Sequence, residues 1–192
     1  MKTPVALSKP LLLLNAVVLL LLTLPAAAQS IWIGTNNVTA NTNWSTAANW
    51  SPSGVPGAAT NVLFNDGGAT VAPGIIDNVV DVNTTIQQLV FRQTNGVHNM
   101  VILPGVTLNI SNSVATTNLL AGTDNAAGSA TTLMITNTIS GAGGTLAITS
   151  TNVASSLVVR QITTGGAGSH LSTLDMSGLD TFNASIGNVW VG

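Results

Sequence analysis

The sequence predicts an all-β chain wound as a right-handed parallel β-helix, a solenoid of stacked coils. Three observations predict it. Short segments rich in Thr, Val and Ile recur between Gly, Asn, Asp and Pro clusters, the alternation of strand and turn. Past the N-terminus, no stretch of about ten residues joins helical apolar spacing to helix-forming residues. Charge is nearly absent, at 5% of 192 residues, where ordinary domains carry about a quarter. The even spacing suits a β-sandwich as well, and that remains the alternative architecture. Composition favours the solenoid. Stacked coils set like side chains over like, so Asn and Thr rows can hydrogen-bond while rows of charge repel.

Taken in order, the chain opens on a processing segment. Lys2 and Lys9 precede the apolar run Leu11–Leu24, then Pro25 and the small residues Ala26, Ala27 and Ala28. A positive end, an apolar core and an A-x-A site define a secretory signal peptide cleaved after Ala28. The alternative is an uncleaved membrane anchor. Residues 29–66 form a Trp-rich cap with the first coils, and residues 67–192 form further coils. Strands are expected at Val62–Phe64, Val79–Val82, Ile86–Arg92, Met100–Leu103, Val106–Ile110, Thr132–Thr136, Thr145–Thr149, Leu157–Ile162, Leu171–Met176 and Ile186–Val191, because branched β-carbons suit a pleated surface. Leu119-Leu120-Ala121 is the nearest hint of a helix. Gly141, Gly143, Gly144, Gly165, Gly166 and Gly168 fall between strands, where a coil must turn.

Composition excludes several classes. With the signal segment removed, only Arg92 and Arg160 oppose six Asp. A nucleic-acid partner is excluded because it needs clustered cations. A charged helical bundle needs Glu, Lys and Arg. A disulfide scaffold needs Cys, and there is none.

Two stretches carry a family likeness. The first runs Trp32-Ile33-Gly34, then Asn43-Trp44-Ser45 through Asn49-Trp50-Ser51-Pro52, then Gly54-Val55-Pro56-Gly57 and Val62-Leu63-Phe64-Asn65-Asp66. The second is Ile139-Ser140-Gly141-Ala142-Gly143-Gly144-Thr145-Leu146-Ala147-Ile148. Together they resemble the opening and the repeat core of secreted bacterial proteins built from autotransporter-associated β-strand repeats. The aromatic that usually follows the repeat is missing from Ser150–Ser156. The resemblance implies the right-handed sense of the β-helix, a passenger-like surface protein and no catalysis. It also implies that the chain is the N-terminal portion of a longer protein, or a truncated gene product, since Trp190-Val191-Gly192 lies inside what reads as a strand.

Few residues could carry chemistry. Trp44 and Trp50 are candidates for stacking on a glycan, or for capping the open end of the solenoid with Trp32. The pairs Asp77/Asp81 and Asp175/Asp180 are the nearest thing to paired carboxylates for a polysaccharide-active enzyme, with Arg92 or Arg160 as base. Asp66 and Asp124 sit in turn sequences, and turn or surface roles are expected for every Asp. His98 and His170 read as lone surface residues on strand edges. The sequons at Asn37, Asn43, Asn49, Asn83, Asn109 and Asn183 are expected by chance in so Asn-rich a chain. No catalytic, cofactor-binding or metal-ligating residue is assigned. The expected function is an exported structural or adhesin-like scaffold at the bacterial cell surface, with glycans or envelope proteins as partners. A carbohydrate-binding module or polysaccharide-active enzyme is the alternative. Membrane attachment is expected only through an uncleaved signal segment or a missing C-terminal anchor.

Overall fold

The computed structural model describes residues 27–34, 41–70, 74–94, 96–113, 117–122, 133–160 and 170–192. Residues 1–26 of the expected signal segment, Asn37, Asp124, Thr132, Ile162, Gly165, Gly166 and Gly168 lie outside them. The described chain is a parallel β-solenoid of about four turns, with 57% of residues in strands.

The path begins with β1 (Ala28–Trp32), a single 3-10 turn (Ala47–Asn49) and β2 (Trp50–Ser51). The first full coil is β3 (Thr60–Phe64), β4 (Asn78–Val80) and β5 (Thr84–Ile86). The second is β6 (Gln88–Phe91), β7 (His98–Ile102) and β8 (Thr107–Ser111). The third is β9 (Thr117–Ala121) and the long β10 (Leu133–Thr149), which serves two faces. The fourth is β11 (Ser156–Val159), β12 (His170–Asp175) and β13 (Leu179–Ser185), and β14 (Asn188–Val191) starts another. Every pairing of named strands between coils is parallel, as stacking requires. Among the described residues, antiparallel pairing occurs for β2 on β1 at the capped end and at the isolated bridge between Thr70 and Val97.

Three ladders result. The first face stacks β1, β3, β6, β9, β11 and β14, with β2 on its outer side. The second stacks β4, β7, the first half of β10 and β12. The third stacks β5, β8, the second half of β10 and β13. Because a strand alternates its side chains, every second residue points inward. The register therefore sets like on like inside. Val62, Leu89, Leu119 and Leu157 form one row, and Phe64, Phe91 and Ala121 another. Ile86, Ile110 and Ile148 form a third. All ten of these residues are buried, and each aliphatic or aromatic member is worth about 1.5–3 kcal/mol.

The sequence placed most ladders correctly and erred at the corners. Ile86–Arg92, expected as one strand, is cut at Gln87 into β5 and β6. The segments expected as separate strands at Thr132–Thr136 and Thr145–Thr149 fall, over their described residues, on the single β10. The helical hint at Leu119–Ala121 is strand β9. β1, β2 and β13 were not anticipated, because their polar residues weaken the apolar signal.

Candidate functional site

The Trp cluster closes the N-terminal end. Trp32, Trp44 and Trp50 are fully or almost fully buried. Trp50 meets Trp32 edge-on at 5.0 Å and Trp44 edge-on at 5.1 Å. Its Nε1 donates to the Trp44 carbonyl at 2.9 Å, and Trp44 Nε1 donates to Asn78 Oδ1 at 3.2 Å. Phe64 lies beneath all three rings. The backbone of 42–44 covers the free edge of β4: Trp44 N–H donates to Val79 O and Val79 N–H to Thr42 O, both at 2.8 Å. Neither Trp44 nor Trp50 presents a face to a sugar outside. This is the capping arrangement, and the geometry explains it: indoles laid across a solenoid end cover open core, and Trp44 and Trp50 also find partners for their N–H groups.

The carboxylates weighed as candidate pairs lie in different surroundings. Asp77 is buried while Asp81, four residues on, turns outward to Ser45. Asp81 accepts from Ser45 N at 3.0 Å and Ser45 Oγ at 2.5 Å. Asp175 accepts from Ser177 N at 2.9 Å in the turn after β12. The Ser177 hydroxyl, and then its N–H, hold the Asp175 carboxyl below the usual carboxylate range. Asp180 is exposed on β13. Asp66 accepts from Thr94 N and from Thr94 Oγ1, the latter at 2.7 Å, and so ties two corners together. Arg92 is exposed on the corner after β6, and Arg160 half-buried on the corner after β11. Among the described residues no group of three or more His, Cys, Asp or Glu is placed to hold a metal.

Two expectations are corrected. His98 is not a surface residue, and Asp77 is neither on a turn surface nor solvated. Both are buried and meet each other: His98 Nδ1 lies 2.5 Å from Asp77 Oδ2. His98 Nε2 lies 2.7 Å from the Asn65 carbonyl. Asp77 Oδ1 accepts from Asn99 N at 2.6 Å and from Asn78 Nδ2 at 3.1 Å. Phe64 packs edge-on to the imidazole at 4.9 Å. In the next coil Asn137 stands in register with His98, and Gln93 Nε2 donates to its Oδ1. Burying a carboxylate is costly unless it is hydrogen-bonded and paired, and here each oxygen has a partner. The sequence held no signal for this pair. Its members lie 21 residues apart and meet only because β4 stacks beside β7.

The outer side of the third face is the other regular feature. Thr107, Thr145 and Thr181 stand in one row, and Ser111, Thr149 and Ser185 in another. Between them run Thr85, Asn109, Ala147 and Asn183. Thr149 Oγ1 donates to Asn109 Oδ1 across coils at 2.9 Å. Of the sequons, Asn49 is fully buried and its Nδ2 donates to the Asn43 carbonyl at 3.0 Å, while Asn83 Oδ1 accepts from Thr107 N at 2.8 Å. No protein-family model, curated protein or solved structure matches the chain.

Proposed function

We propose that the chain is an exported, non-catalytic scaffold of a bacterial cell-surface protein, passenger-like and adhesive in character. One observation carries the reading. The outer rows of the third face across β5, β8, β10 and β13 are mostly Thr, Ser and Asn, with Asp180 the charged residue exposed on β13. The carboxylates of Asp66, Asp77, Asp81 and Asp175 meanwhile fasten the solenoid's own turns and corners. Carboxylates spent this way do not converge on a cleft, where acid–base catalysis needs them. A repetitive face of hydroxyls and amides suits contact with hydroxyl-rich surfaces, which also supports a second reading as a carbohydrate-binding module.

Export draws support from β1. Ala28 and Gln29 are exposed at its first two positions, and Ser30 behind them is buried. Cleavage after Ala28 therefore removes one ladder residue and leaves Trp32 in the cap. The test is to express the full chain in a bacterium, sequence the N-terminus of the exported product, and compare adherence of exporting and non-exporting cells to polysaccharide-coated surfaces. A product starting at Gln29 and a gain in adherence are expected. Retention in the cytoplasm with Met1 intact defeats the export reading. Depolymerisation of the coating by the purified chain defeats the non-catalytic one.

A further inference from the structure

The outer side of the first face is apolar, and its middle is covered. Strand alternation sends Ile31, Leu63, Val90, Leu120, Val158 and Trp190 outward, and the register sets them in one unbroken row. Outward residues of a bare sheet keep part of their surface, as Thr107, Asn109, Thr145 and Ala147 do on the third face. The middle of this row does not. Leu63 is 8% exposed, Val90 4% and Leu120 6%. The described apolar side chains packed against them are Ile31 and Val158. These belong to the same row, so they lie beside the three residues and not over them.

Asn118 shows what kind of surface the cover offers. It stands two residues before Leu120 on β9 and points the same way. It is fully buried, and neither its Nδ2 nor its Oδ1 has a hydrogen-bond partner. A polar cover would bond such an amide. A hydrocarbon surface excludes water from it and returns nothing. The sequence then limits the source. Outside the described residues, 123–132 hold nothing aliphatic larger than Ala, and 35–40, 71–73, 114–116 and 161–169 hold one such residue each, Val38, Val71, Val114 and Ile162. Residues 1–26 hold the run Leu11–Leu24, apolar but for Asn15 and Thr23.

We propose that Leu11–Leu24 of the uncleaved chain lies along this row and is its cover. The lengths agree. As a helix the run spans about 21 Å at 1.5 Å per residue, and the four ladder steps from Ile31 to Val158 make about 19 Å. The connection is short: Pro25, Ala26 and Ala27 reach up to about 10 Å when extended, enough to turn the chain over from β1, where the row begins. Both surfaces are uncharged, so their contact buries apolar area with no ion to desolvate. The segment expected to direct export is then also a piece of the fold. Cleavage after Ala28 uncovers the apolar row, a consequence that rests on the export reading above.

The chain has no Cys, so single cysteines report on the cover directly. The full chain, Met1 to Gly192, is translated without membranes or signal peptidase, which keeps the result independent of export. Maleimide labelling is timed for Leu120→Cys and for Thr149→Cys on the third face. We expect Leu120→Cys to label at least about tenfold more slowly, because labelling waits for the cover to open. Adding Leu19→Asp and Leu20→Asp should bring it to the Thr149→Cys rate. Equal rates without the aspartates overturn the proposal, and so does slow labelling that survives them. Should the aspartate variant not fold, a benzophenone attached at Val158→Cys, at the half-buried end of the row, decides. A crosslink to residues 11–24 of the same molecule supports the proposal. A crosslink to a second copy or to any other segment, or none, refutes it.

Discussion

Trp50 shows what single residues do here. Its ring stands edge-on between Trp32 and Trp44, its N–H reaches the Trp44 carbonyl, and Phe64 lies below. Truncation removes the middle of this stack and opens a cavity at the end of the core. Trp50→Ala should therefore cost about 3–5 kcal/mol, read as a lower denaturant midpoint with little change in slope. Trp44→Phe keeps a ring and loses the bond to Asn78, so about 1 kcal/mol is expected. Equal losses from both variants would show that the cap is not packed as described. These Trp were legible in the sequence because large aromatics in a polar stretch must bury somewhere. Asp77 and His98 were not legible. A lone His has no pattern, and its two acceptors come from positions 33 and 21 residues away. Only the coil length, which no local spacing reveals, brings them into contact.

At the scale of the element, β10 is the instructive strand. Its two halves were readable as alternating segments, and the glycines between them as a turn. Instead the strand continues through Gly141–Gly144 and changes faces, with a register shift against β13 between Gly141 and Thr145. The reason is close approach. A Cβ on Gly141 would lie 2.1 Å from the Ile102 carbonyl oxygen, and one on Gly144 2.5 Å from the same atom. Gly141 also has φ +149°, where side chains are disfavoured. The obstacle is backbone of the coil below, which cannot swing aside. Gly141→Ala should cost about 2–5 kcal/mol from strain and overpacking together. Gly143 has φ +72° but 3.4 Å of room to Pro104, so its alanine variant should lose only the ~1–2 kcal/mol of a left-handed residue. Gly57, with open space around its missing Cβ, is the control, with a loss under about 0.5 kcal/mol. A Gly143→Ala loss as large as that of Gly141→Ala would mean that backbone angle, and not the approach of Ile102, governs the bend.

Across the whole molecule the two ends differ. The N-terminal end is closed by Trp32, Trp44 and Trp50 and by the backbone of 42–44 on β4. At the other end β14 lies on the outer side of β11, with Val189, Trp190 and Val191 each more than 60% exposed. Phe182 on neighbouring β13 is 40% exposed. A strand edge with free backbone groups and apolar side chains is a template for pairing with another strand. Proteins usually guard such edges with charge, and this chain has a net charge of only −2. The scarcity of charge that lets Thr and Asn stack along the ladders thus leaves β14 without a charge on its edge. A polypeptide of these 192 residues should self-associate through β14, with a sedimentation coefficient that rises with concentration over the micromolar range. Salt should change this little, because few charges are present to be screened. Trp190→Lys sets a charge on the outer row of β14, in register with Val158, and should hold the chain monomeric without lowering its stability by more than about 0.5 kcal/mol. Wild-type protein that sediments as a monomer at every concentration would mean that β14 is not available for pairing.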